Sequence, residues 1–168
     1  NNHFAAVNRI HSRVLDLSSS VFRHEGKIPS KYTCDGENSS PHLIISDVPA
    51  GAKSLVLIMD DPDVPKNLRK DGLWVHWVVF NIPPAIREIP EGREPEGIAG
   101  EGTAGNTGYY GPCPPDREHR YYFKLYALDQ KLNLPEKTDK ATLEREMEES
   151  IIEQAVLMGK YERTSSNG

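Results

Sequence analysis

Ser54-Leu55-Val56-Leu57-Ile58-Met59-Asp60 is apolar through its whole middle, the pattern of a strand buried on both faces rather than one. Its length suits a strand better than a core helix. Two longer stretches follow, Trp74-Val75-His76-Trp77-Val78-Val79-Phe80-Asn81-Ile82 and residues 119–128, from His119 through Tyr121, Phe123 and Leu125 to Leu128. Both are dominated by aromatic and β-branched residues, which fit a pleated surface. His42 to Ser46 reads as a shorter strand, and Leu15, Leu17 and Val21 mark a first one. Residues 23–41, rich in Gly, Pro, Asn and Ser, read as loop. Residues 83–118 carry little apolar content and much Gly and Pro. So long an irregular connection in a compact domain is usually functional, and this one is expected to run over the surface and return to a pocket at 111–115.

The C-terminal part has another period. Asp139 is a candidate N-cap, and Leu143, Met147, Ile151 and Ala155 fall every four residues on one face. Glu144, Glu146, Glu148, Glu149 and Glu153 largely fill the rest, and Gly159 stands where a helix C-cap favours positive φ. The spacing predicts a helix between Asp139 and Gly159, with Tyr161 closing a last strand. Many strands with one good helix predict a mainly β, antiparallel sandwich to which a helix is added late. Residues 15–163 are expected to form one unit. Residues 1–14 form a lead in which Phe4, Val7, Ile10 or His11, and Val14 have helical spacing, and 164–168 form a tail.

Bulk composition narrows the function. The 168 residues carry a net charge of −5 and show no basic footprint for nucleic acid. No apolar run approaches the ~18 residues of a membrane-spanning helix. Cys34 and Cys113 make neither a disulfide framework nor a zinc spacing. Free thiols in a reducing, cytoplasmic compartment are expected, with a single bridge and a periplasmic location as alternatives. The chain starts without methionine or a recognisable signal peptide, as a chain with a cleaved signal also would.

Gly100-Glu101-Gly102-Thr103-Ala104-Gly105 matches the dinucleotide fingerprint by letter, but no apolar strand precedes it and no helix follows it, so it reads as loop. Cys113 near His119 suggests a Cys–His nucleophile. The cysteine lies between prolines with no helix N-terminus to activate it, so a structural or redox-silent thiol is expected. Asp61, Asp63, His76 and His119 are possible metal ligands, but the histidines lack ligand spacing within one element and neither metal nor cofactor is expected.

A small-molecule pocket fits better. Alternation puts Leu55, Leu57, Met59 and Asp61 on one side of their strand. It does the same for Trp74, His76, Val78 and Phe80, and for His119, Tyr121, Phe123 and Leu125. If the strand ends converge, a carboxylate, two imidazoles and a phenol meet above an apolar floor.

Asp61-Pro62-Asp63-Val64-Pro65, Trp74-Val75-His76-Trp77 and Gly111-Pro112-Cys113-Pro114-Pro115 followed by His119-Arg120-Tyr121 resemble the two signature regions of the phosphatidylethanolamine-binding proteins, also called Raf kinase inhibitor proteins. Tyr32-Thr33-Cys34-Asp35-Gly36-Glu37-Asn38, Ser40-Pro41-His42-Leu43 and the closing Gly159-Lys160-Tyr161-Glu162-Arg163 resemble the bacterial and archaeal branch. The resemblance runs over about residues 18–163. It implies a Greek-key β sandwich and a pocket for phosphate-like anions or phospholipid head groups. Asp61, His76, His119 and Tyr121 would carry that pocket, and Val64, Pro65, Gly111 and Pro115 would shape its rim. A cis Val64–Pro65 bond is a further expectation.

The resemblance implies binding rather than catalysis, with members acting on kinases or proteases as regulators or inhibitors. A regulator or inhibitor that meets a protein partner through loops 62–73 and 96–118, and a hydrolase dependent on His76 or His119, are the two competing expectations, with a homodimer as a possible assembly. Three departures stand out. Val64 replaces the usual alanine, Gly102-Thr103-Ala104 replaces an Asn-Asp-aromatic segment, and no helix follows Tyr161 as in mammalian members.

Overall fold

The computed structural model describes residues 13–164. Its strands are β1 (Asp16–Ser18), β2 (Leu43–Ser46), β3 (Ser54–Asp61), β4 (Trp74–Ile82), β5 (Glu88–Ile89), β6 (Ile98–Ala99), β7 (His119–Leu128) and β8 (Ile151–Tyr161), with one α-helix, α1 (Lys140–Met147), before β8. Residues 1–12 of the expected lead helix lie outside the described residues, and its last positions, Arg13 and Val14, are not helical.

The fold is mainly β, as the strand pattern predicts. One antiparallel sheet has the order β1-β2-β5, the other β6-β4-β3-β7-β8. Every residue of β3 is buried, and the central place of that strand in the larger sheet explains why. Its two faces serve two cores. Leu55, Leu57 and Met59 pack with Leu17, Leu43, Ile45 and Ile89 of the small sheet. Val56 and Ile58 pack on the other face with Leu132 and with Leu143 and Met147 of α1. At roughly 1.5–3 kcal/mol for each fully buried large apolar side chain, these two layers hold the sheet ends in place.

Alternation holds in β3 and β7 but fails in β4. Met59 faces Trp77 and Asp60 faces Val75, so His76 is an extra residue in the ladder. This β-bulge separates Trp74 and His76 from Val78 and Phe80, which join the outer core instead of sharing one side with them. Bulges re-aim side chains, and this one sits at the histidine of interest.

The C-terminal helix is shorter than its spacing predicts. Asp139 does cap it, accepting from the amide of Thr142 at 2.9 Å, but it ends at Met147 and a 3-10 turn leads into β8. Ile151 and Ala155 therefore lie in a strand. Residues 151–161 are satisfied by pairing along β7, from Leu128 opposite Ile151 to His119 opposite Tyr161. Tertiary pairing overrides a four-residue period that β-branched Ile151, Ile152 and Val156 support only weakly. Gly159 is no cap, since a Cβ there would meet Ile28 Cγ1 at 2.5 Å and Phe22 Cε2 at 2.8 Å.

Two further expectations are corrected. Cys34 and Cys113 form a disulfide. Seventy-nine residues of sequence separation conceal that their loops lie together, with the Cys34 amide donating to the Pro112 carbonyl at 3.1 Å. The Val64–Pro65 bond is trans, as are all peptide bonds among the described residues. Pro65 instead opens a turn in which its carbonyl accepts from the amides of Leu68 and Arg69. Among the described residues no helix is long and apolar enough to cross a membrane.

Candidate functional site

At one end of the large sheet a cavity of about 250 Å³ is lined by Asp61, Val64, His76, Pro115, His119 and Tyr121, all expected from the sequence. Pro65 and Gly111 do not line it. Gly111 acts one step away, its amide donating to Asn38 Oδ1 at 3.0 Å, and a Cβ there would stand 2.7 Å from the Tyr32 carbonyl. Leu68, Trp74, Tyr110, Cys113 and Pro114 complete the wall. Gly102-Thr103-Ala104 lies elsewhere: the Thr103 amide donates to the Val75 carbonyl at 2.9 Å, and its hydroxyl accepts from the Val75 amide at 2.8 Å.

The aromatic groups form a row. Trp74 and Tyr110 have ring centroids 6.3 Å apart, and Tyr110 and His76 5.9 Å. His76 meets Tyr121 edge-on at 5.3 Å, and Tyr121 stacks on His119 at 6.4 Å. Tyr110 is positioned from below. Tyr109 crosses Trp77 edge-on at 5.2 Å and donates to the Tyr32 carbonyl at 2.6 Å. Glu94 accepts from both the Trp77 indole and the Tyr109 amide. A pair of tyrosines just before Gly111 was the available sequence signal for this wall.

The polar chemistry centres on His119, which is wholly buried. Its Nδ1 lies 2.6 Å from Asp61 Oδ2, and its Nε2 lies 2.6 Å from Asp116 Oδ1. Two such hydrogen bonds need two protons, whereas a neutral imidazole carries one. The Asp61–His119–Asp116 set thus holds one proton more than a neutral ring between two carboxylates. Burial pushes the Asp61 carboxyl up, against the bonds from His119 and the Asp63 amide. Desolvation is the largest single influence on Asp116 and works upward, but the bond from His119, its charge and the contributions of Arg117 together hold that carboxyl below its ordinary value. Asp116 is the partner of His119 that sequence reasoning missed, and its place three residues before His119 was the only hint.

His76 is set differently. Its Nδ1 donates to the Tyr110 carbonyl at 2.6 Å, and the Asn106 amide donates to the His76 carbonyl at 2.8 Å. Burial lowers its pKa to about 4. The Tyr121 hydroxyl is buried with no hydrogen bond of good geometry to any described residue, and burial, then the nearby Asp61 carboxylate, push its pKa up. The Trp74 indole N–H is likewise buried without a partner. Asp63 turns away from the cavity to hold Arg120, with 2.7 Å and 2.9 Å contacts to the guanidinium and 2.9 Å to the amide.

This architecture has relatives. A UPF0098 protein of Chlamydia pneumoniae is 49% identical over 89% of this chain and 100% of its own length. One from Methanothermobacter thermautotrophicus is 46% identical over 89% of this chain and 99% of its own. The crystal structure of a phosphatidylethanolamine-binding protein homolog from Chlamydia trachomatis superposes with a TM-score of 0.88 at 48% identity, covering 90% of this chain and 99% of that one. E. coli YbcL, a member of the mammalian family, superposes with a TM-score of 0.80 at 28% identity over 89% of this chain and 99% of that one. The family model for phosphatidylethanolamine-binding proteins matches residues 18–162, almost the whole described fold and every residue lining the cavity, and the chain belongs to that family.

Proposed function

We propose that the cavity captures a phosphate-like anion, free or as part of a phospholipid head group, by hydrogen bonding and partial charge neutralisation with no covalent step. One observation carries this reading: the Tyr121 hydroxyl is buried at the cavity beside the Asp61 carboxylate and makes no hydrogen bond of good geometry to any described residue. An unmet buried hydroxyl costs about 1–3 kcal/mol, which a ligand oxygen would recover. Trp74, which lines the same wall, has a second buried donor without a partner in its indole N–H. Apolar walls around a few polar groups are the usual make-up of a small-molecule site. The name of the family, which the Chlamydia trachomatis structure also bears, supports the same class of ligand.

Charge opposes capture at first sight, since Asp61 and Asp116 border the site. The extra proton held with His119 removes one negative charge, and Arg69, itself paired with Asp71, stands over the ring of the lining residue Trp74 at 5.9 Å. A regulatory use is a second reading, favoured by two exposed apolar side chains at the rim, Leu68 (60%) and Tyr110 (38%). A partner protein would cover them, and cavity variants would keep partner binding.

Calorimetric titration of the wild type and Tyr121→Phe with inorganic phosphate and phosphoethanolamine tests the principal reading. Binding of one ligand per chain is expected, weakened about tenfold by the loss of one hydroxyl donor. No heat and no spectral change with either ligand at millimolar concentration would sink it.

A further inference from the structure

The hydrogen bonds of His76 constrain the ligand more tightly than the cavity's shape does. A carbonyl oxygen can only accept, so the 2.6 Å contact to Tyr110 puts the proton of the neutral ring on Nδ1. Nε2 is then a bare lone pair on a ring that lines the cavity, and no described residue donates to it. The titratable groups around this ring are Asp60 and Asp61 from β3, His119 and Tyr121 from β7, and Tyr110 from the 83–118 connection. Asp60 favours a second proton on His76 and His119 opposes it, but burial outweighs both and keeps the ring neutral at physiological pH. The cavity wall therefore carries one fixed acceptor, Nε2, together with two buried donors that make no hydrogen bond of good geometry, the Tyr121 hydroxyl beside Asp61 and the Trp74 indole N–H.

Resting on the anion-capture reading, we propose that the cavity selects phosphates that carry a P–OH proton, namely inorganic phosphate and, in mildly acid solution, the monoanions of phosphate monoesters, over phosphodiesters and sulfate. The P–OH group donates to Nε2 of His76 while the other oxygens accept from Tyr121 and Trp74. A diester or sulfate brings only acceptor oxygens and sets lone pair against lone pair at Nε2. Sites built to bond a donor reject analogues that lack it, because the buried partner is left unpaired. A singly charged, protonated phosphate also meets less repulsion from Asp61 and Asp116 than a dianion does. The diester phosphate of an intact phospholipid is thus the poorer fit at this position.

Calorimetry in mildly acid buffer with methyl phosphate, dimethyl phosphate and sulfate tests the selection. Methyl phosphate should bind wild type at least about tenfold more tightly than either competitor. His76→Asn keeps an N–H for the Tyr110 carbonyl but has no acceptor at the Nε2 position, so the ratio should fall towards one. Tyr121→Phe should weaken all the anions and keep the ratio. Equal wild-type affinities, or tighter dimethyl phosphate, overturn the selection while anion capture stands. A ratio that survives in folded His76→Asn overturns the role of His76. No binding of any of the three overturns both readings. The wild-type ratios decide the selection alone if His76→Asn does not fold.

Discussion

His119 Nδ1 and Asp61 Oδ2 stand 2.6 Å apart on neighbouring strands, with His119 wholly buried and Asp61 nearly so. Their sharing of a proton couples the charge of the site to pH. As pH falls from neutrality, Asp61, already pushed up by burial, takes protons more readily than an ordinary carboxyl. Phosphate itself also gains a proton in this range. Affinity for inorganic phosphate should rise several-fold between neutral and mildly acid buffer, measured by calorimetry; a flat profile contradicts the charge account.

His76 also makes the fold acid-sensitive. Its folded value of about 4 lies below the ordinary 6.5, so the unfolded chain binds the proton more readily in between. The contribution is present above pH 6.5 and is lost as pH falls towards 4. In full it amounts to about 3 kcal/mol. Urea unfolding at stepped pH should show wild type losing stability across this window and His76→Asn losing much less. Parallel curves contradict the assignment.

Asp63 holds the loop after β3 to β7 through Arg120, and that bond, resisted by partial burial, lowers its carboxyl below the ordinary 3.8. A depressed carboxyl contributes stability above its unfolded value and loses it as pH falls through its folded value. Arg120 is half exposed, so the pair is screened. Asp63→Asn should cost about 1–2 kcal/mol at neutral pH, and the difference from wild type should close in strong acid. A difference independent of pH assigns the loss to packing instead.

The Cys34–Cys113 bridge joins the 33–38 loop to the cavity wall. Reduction, or a Cys34→Ser/Cys113→Ser double variant, should lower unfolding free energy by about 2–4 kcal/mol. Phosphate affinity should fall with it, because Cys113 and Pro114 line the cavity. Unfolding curves that do not change with reductant contradict a structural role for the bridge.

Strand identity was legible where the sequence pattern and the burial agree. The apolar run of β3 is buried on both faces, and the alternation of β7 puts His119, Tyr121, Phe123 and Leu125 on the inner side. The site was legible for the same reason, since Asp61, His76, His119 and Tyr121 do line one cavity. What escaped depends on contacts between distant segments. The bulge at His76 follows from how β4 meets β3, and the Cys34–Cys113 bridge from two loops meeting. Ile151 and Ala155 fit a helix by period but are claimed by the long pairing of β8 with β7. Asp116 lies in a proline-rich turn with no periodicity to mark it, and only the fold sets it against His119.

Long-range proton–nitrogen NMR of the imidazole rings during titration with inorganic phosphate examines the site most directly. Free His76 should appear neutral with its proton on Nδ1, and its Nε2 signal should move with phosphate until one equivalent is bound, while the His119 signals move with it. A His76 proton found on Nε2, or ring signals that stay in place while phosphate binds, would contradict a site built from His76, His119, Asp61 and Tyr121.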